Sequence, residues 1–344
     1  MATVKDVAAA AGVSQATVSY ALRGDSRIIP STAKKVFEAA DRLHYSTNLS
    51  ARSLRSGKNG IIGVAIYELD MPYPSQISAA ISQEVSRRGL QTIVQQTSSS
   101  VQNEISVLAN VTSQLCDGTI FSPSKVTNQG IKALAGGKPV VLLDNSELSS
   151  HPLFDTVLSP CEDGAETAIN HLIDIGCRHI GIVGTRYDIA SDASAASQVA
   201  YRRLSGCMAA FRKAGISLDP HDVIETSWRP EEVRSVIGNM TAEGRRYDGL
   251  FCMTDSIALG TIRGLADYGL RSPIDTAVIG FDGIHEGELA VPSISTIAVD
   301  FEDLAAKAVN LLMKRILHPE DEYSPVIETA RYSLVAREST AIRE

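Results

Sequence analysis

Three patterns of apolar and polar positions follow one another along the chain. Residues 3–45 read as three short helices. Thr3, with Asp6 three positions on, is a capping pair that opens VKDVAAAA, and Gly12 breaks that helix. Ser14 caps a second helix running to about Leu22, which Gly24 ends. Pro30-Ser31 opens a third, in which Val36, Ala40 and Leu43 fall on one face. Residues 46–58, STNLSARSLRSGK, are rich in serine and basic, a linker by composition in which 48–54 has room for two helical turns. After Gly60 short apolar runs alternate with helical ones: IIGVAIY, a helix over about 74–88, QTIVQQT, a helix ending near Leu115, GTIFSP, a short helix, PVVLLD. The alternation restarts with HIGIVG, a helix around 196–214, DVIETSW, DGLFCMTD, a helix to Tyr268, and AVIGFDG.

Continuous apolar strands separated by helices predict parallel sheets covered on both faces. Two such series predict two doubly wound α/β subdomains, with a ligand place between them outside the carboxyl ends of the strands. The longest apolar runs are too short to span a bilayer, and the N-terminus lacks a signal-peptide pattern. Five cysteines without a C-x-x-C pair argue against a disulfide scaffold or zinc site and fit a reducing cytoplasm. A net charge of −8 argues at first against nucleic acid. Its distribution argues the other way, because residues 1–58 carry nine basic and four acidic side chains. A basic head on an acidic body suits a DNA-binding module joined to something else.

GVSQATVSYALRG, residues 12–24, then becomes informative. A glycine turn between two short helices is the helix-turn-helix pattern. Val13, Val18 and Leu22 point inward, and Gln15, Ala16, Ser19 and Tyr20 share the opposite face. That face is slim, weakly charged and supplied with donors, acceptors and a methyl group, as a helix entering the major groove requires.

TVKDVAAAAGVSQATVSYALRG, followed by TAKKVFEAADRLHYSTNLSARSLRSGKNGIIGVAI, resembles the lactose-repressor/galactose-repressor family of bacterial transcription factors. YRRLSG, MTDSIALG, VIGFDG and ISTIAVDF extend the resemblance through the body. It implies a helix-turn-helix domain over 1–46, a hinge over 47–59 and a periplasmic-binding-protein-like effector core over 60–344. The N-subdomain would take about 60–175 and 298–324, the C-subdomain about 176–297 and 325–344. It also implies a homodimer whose two heads read a palindromic double-stranded operator under the control of a small effector. By the same resemblance the base-reading positions are Gln15, Ala16 and Tyr20, with Thr3, Ser14, Thr17 and Ser19 on the DNA side. Tyr20 stands where relatives often carry arginine. Asn48, Ala51 and Leu54 belong to a hinge helix formed on the operator, with Leu54 as a minor-groove wedge. Thr47 replaces a proline usual there.

The resemblance further places Arg203 of YRRLSG at the effector, while Arg202 reads as a surface charge. Asp282 of GFDG, Asp163 of CEDG, Trp228, Thr254, and Tyr67, Tyr73 and Pro74 at the cleft entrance complete the expected pocket, and Asp255 is expected to cap the next helix. No nucleophile elbow, zinc-protease helix, P-loop or dinucleotide fingerprint is present, so neither catalysis nor a cofactor or metal is expected. The chain stops at LVARESTAIRE without a leucine-heptad tail, so a dimer rather than a tetramer is expected. The reading is a cytoplasmic repressor responding to a sugar or sugar derivative. A nucleoside or purine effector is the alternative, and a transporter's solute-binding protein the alternative from another class.

Overall fold

The computed structural model describes residues 2–22, 25, 27–45, 58–145, 147–148, 151–192, 198–321 and 324–341. Two compact units result, Met1–Asn59 and Gly60–Glu344. In the first, α1 (Val4–Ala11) is opened by a Thr3/Asp6 capping box and closed at Gly12, which adopts φ 66°. Only glycine holds that left-handed geometry without strain. Helix α2 (Gln15–Ala21) is capped by Ser14, and α3 (Pro30–Arg42) has its proline in the first turn. The small core is Val7, Ala8, Val18, Ala21, Val36, Ala39 and Ala40. Leu43, expected on the inner face of α3, is exposed, and Ala39 takes its place.

The second unit contains two six-stranded sheets. The first is built from β1 (Ile61–Ile66), β2 (Gln91–Gln96), β3 (Gly118–Phe121), β4 (Val140–Leu143), β5 (Asp155–Leu158) and β11 (Ile327–Thr329), in the order β11-β5-β4-β3-β1-β2. The second is built from β6 (Ile180–Val183), β7 (Val223–Ile224), β8 (Gly249–Cys252), β9 (Ala277–Asp282), β10 (Ser295–Val299) and β12 (Tyr332–Val335), in the order β12-β10-β9-β8-β6-β7. All ladders are parallel except β12, which runs antiparallel to β10 at the edge. Strands β1, β3, β4, β6 and β8 are buried along their length, so their near-continuous apolar sequences follow from cover on both faces. That cover comes from helices α4 (Pro72–Arg87), α5 (Val101–Ser106, continued by a π-helical segment Val107–Thr112), α6 (Asn128–Leu134) and α12 (Phe301–Leu317) in the first half. The second half has α7 (Cys161–Asp174), α8 (Val199–Ala214), α9 (Pro230–Ala242), α10 (Asp255–Ala266) and α11 (His285–Leu289).

Two subdomain boundaries differ from the sequence reading. Helix α7, placed at the end of the N-subdomain, packs on α8, β9, β10 and β12 of the second half. Gly206 of α8 lies so close to the Glu162 carbonyl that no side chain fits between them. Strand β11, placed in the C-subdomain, pairs with β5 of the first sheet. Its three residues are exposed or half-buried, so no apolar pattern marks it. The chain therefore crosses between the halves three times, at 159–160, at Asp300 and at 330–331. These crossings are bonded to one another: Ala330 N–H donates to the Leu158 carbonyl at 2.8 Å and Asp300 N–H to the Arg331 carbonyl at 2.9 Å.

Candidate nucleic-acid interface and ligand cavity

On α2 the buried residues are Val18 and Ala21. Gln15, Ala16 and Ser19 are exposed, and Thr17 and Tyr20 half-buried. The Ser14 and Thr17 hydroxyls lie 2.9 Å apart, and Thr17 N–H donates to Ser14 Oγ at 3.1 Å. Thr3 is committed to its cap, its hydroxyl 2.7 Å from an Asp6 carboxylate oxygen. Arg27 lies 4.3 Å over the Tyr20 ring and is paired with Asp25 at 2.7 Å. The ring is thus held by a cation on one face. Asn48, Ala51 and Leu54 lie outside the described residues.

In the second unit a cavity of about 410 Å³ opens at the carboxyl ends of the strands of both sheets. Both sheets reverse strand order beside their first strand (β2-β1-β3 and β7-β6-β8), and ligands of doubly wound sheets bind at such a switch point. Tyr67, Tyr73, Pro74, Arg203, Trp228, Thr254 and Asp282 all line the cavity. Asp163 does not. It is exposed in the first turn of α7, whose Cys161, Gly164 and Ala165 face inward.

The floor of the cavity is a buried ion pair. Arg203 Nη2 donates to Asp282 Oδ1 at 3.0 Å and Nη1 to the Met253 carbonyl, while the guanidinium stacks 3.7 Å over the Phe281 ring. Burial works against the Arg203 charge, but the Asp282 carboxylate, with Asp144 further off, holds its pKa above the ordinary value. Burial pushes the Asp282 carboxyl up to about 7 even with Arg203 beside it. Asp282 also carries φ 117°, strained backbone of the kind kept at functional positions. Trp228 Nε1 donates to the Gly184 carbonyl at 2.8 Å, which fixes the indole plane. Burial, with the nearby Asp282 and Asp144 charges, keeps Tyr67 a neutral phenol.

Two further assignments change. Arg202 is buried, not a surface charge: Glu162 grips it through two contacts of 2.7 Å. The cap of α10 is Thr254, whose hydroxyl accepts from Ile257 N–H at 3.1 Å. Asp255 instead holds the loop after β9 by accepting from Gly283 and Ile284 N–H.

Ser122, Asp144, Ser256, Glu68 and Arg229 also line the cavity, although the sequence pattern does not mark them. Ser122 and Asp144 directly follow β3 and β4, so their place after a strand end was the available signal. At the rim, Arg229 meets Asp70 at 3.1 Å and contacts Glu68. Gln76 donates to Glu286 at 2.8 Å. These pairs join the lips of the cleft across the two halves.

Residues 3–48 match the bacterial regulatory proteins of the lacI family, and residues 169–340 match a periplasmic binding protein-like domain. The HTH-type transcriptional repressor PurR of Pasteurella multocida (strain Pm70) is 30% identical over 345 residues, covering 100% of both chains. The chain belongs to the lacI family of bacterial regulatory proteins. Like the other members it is a DNA-binding transcriptional regulator, with α2 in the helix-turn-helix and the cavity in the periplasmic-binding-like core. PurR of Actinobacillus pleuropneumoniae serotype 3 (strain JL03) is 29% identical over 343 residues, 98% of each chain. The lac repressor dimer bound to operator and the anti-inducer ONPF is similar in structure, with a TM-score of 0.77 and 26% identity. That match covers 98% of this chain and 99% of the repressor chain. Among the described residues no helix is long and apolar enough to cross a membrane.

Proposed function

We propose that this lacI-family regulator is a repressor that binds a palindromic operator as a homodimer in the cytoplasm. Its ligand is a small polar effector, a sugar or sugar derivative, held in the 410 Å³ cavity. Its work is binding, not catalysis. Gln15, Ala16 and Tyr20 read base edges, while Thr3, Ser14, Thr17 and Ser19 face the backbone. The dimer is supported by Leu289 and Val291, which are 83% and 92% exposed on the segment after β9. Two aliphatic side chains this open to water, two residues apart, favour a protein partner.

The observation that carries the effector reading is the Arg203–Asp282 pair on the cavity floor beside the Trp228 and Tyr67 rings. A sugar presents C–H faces to such rings and hydroxyls to such a pair. A second reading, a nucleoside or purine, is favoured by the apolar character of most of the lining. Ile66, Met71, Pro74, Ile77 and Leu143 there suit a flat ring.

A thermal-shift series with D-glucose, D-ribose, ribose 5-phosphate, adenosine, guanine and hypoxanthine tests the site, because a ligand of the folded state raises the melting temperature. The expected result is a shift with a sugar that disappears in Arg203→Ala. A shift confined to the nucleoside and the bases establishes the second reading, and a shift that survives Arg203→Ala removes the pair from the site.

A further inference from the structure

Ser159 lies in the first crossing between the halves and is 1% exposed. It does not line the cavity, yet two residues that do are bonded to it. Asp144 accepts from Ser159 N–H and from its hydroxyl, both at 2.7 Å. Tyr73 Oη lies 3.1 Å from Ser159 Oγ. Both come from the first half: Tyr73 from α4, and Asp144 from the end of β4, where it takes φ 44°. A non-glycine residue keeps that conformation only when its surroundings hold it there.

From the second half, Arg202 Nη2 points at the Ser159 carbonyl at 3.4 Å, and Cys161 N–H donates to the same oxygen at 2.8 Å. The Tyr73 ring also stands edge-on to Phe301, 5.6 Å between centroids. Phe301 opens α12 just past the second crossing. One short hydroxyl side chain therefore joins two walls of the cavity to the first crossing between the halves.

We propose that Ser159 is a positioning residue that couples occupancy of the cavity to the placement of the two halves, by holding Tyr73 and Asp144 of one half on a crossing gripped by Arg202 of the other. A ligand that displaces Tyr73 or Asp144 must rearrange this node, and a ligand that fits them locks it. The inference rests on the cavity being the effector site.

The test uses the full chain and the six compounds of the thermal-shift series. Quenching of Trp228, the only tryptophan, reports binding, and backbone hydrogen exchange over residues 158–162 reports the crossing. In the unmodified protein a bound probe should slow exchange there about fivefold, the equivalent of one hydrogen bond. In Ser159→Ala the probe still quenches Trp228 at a similar concentration, but slowing at the crossing falls below about twofold. Tyr73→Phe, which removes only the phenolic oxygen, loses the same slowing whatever its affinity.

Slowing in both variants equal to that of the unmodified protein overturns the proposal. Quenching without any slowing in the unmodified protein also overturns it and leaves the effector site standing. If none of the six compounds quenches Trp228 or shifts the melting temperature, the effector reading fails and takes the proposal with it.

Discussion

Asp255→Asn gives a pH-dependent reversal of stability. Asp255 is fully buried at the start of α10. Its Oδ2 accepts Gly283 N–H at 2.7 Å and Ile284 N–H at 2.9 Å, while Oδ1 has no hydrogen-bond partner and faces Gly280. Burial first, and the Asp282 charge second, push its carboxyl from 3.8 to about 8. Between those two pH values the folded protein holds a proton that the unfolded chain has lost. Stability therefore falls as pH rises through this window and levels off above it. The slope is about 1.4 kcal/mol per pH unit, so between about pH 5 and pH 8 this group removes about 4 kcal/mol. The amide of the variant keeps an oxygen for the two backbone donors and does not titrate. It places an unpartnered NH2 where Oδ1 was, at a cost of about 1–3 kcal/mol. The variant should be the less stable protein near pH 5 and the more stable near pH 8. Urea midpoints followed by Trp228 fluorescence across that range measure the difference. Stability curves that stay parallel, with no crossing, would refute the argument that Asp255 is folded as a neutral acid.

Tyr20→Ala removes the ring that Arg27 covers on the exposed side of α2. In a binding selection from a random duplex pool it should relax preference at one base pair per half-site, by about 1–3 kcal/mol; an unchanged selected motif counts against a base-reading role. Gly206→Ala drives a methyl group into the Glu162 carbonyl, so α7 and α8 must separate. The expected loss is about 1–3 kcal/mol in urea unfolding, and an unaltered midpoint contradicts the close approach of the two helices.

The features legible in the sequence are those set by local chemistry. Thr3, Gly12, Ser14 and Pro30 sit where their side chains or backbone freedom begin or end a helix, and each does so in the structure. The seven cavity residues anticipated from sequence lie at or after strand ends or on the helices α4 and α8, where short motifs mark them. What was not legible depends on partners far along the chain. Arg202 and Arg203 are neighbours of like charge in sequence, and only the packing of α8 on α7 sends one to Glu162 and the other to Asp282. Asp144 becomes important through Ser159, fifteen residues away. The edge strands β11 and β12 have exposed or half-buried residues throughout, so they lack the apolar run that betrays a central strand.

The triple crossing also governs how this protein can be cut or recombined. A fragment ending at Leu158 retains five of the first sheet's strands but loses β11, which pairs with β5, and α12, which packs on β3, β4 and β5. The apolar flank that α12 covers would then face water, and the complementary piece would carry a stranded helix with nothing beneath it. Neither lobe of the core is a portable module: grafting a lobe from one regulator to another requires exchanging two separate stretches of gene at once, or the whole of residues 60–341.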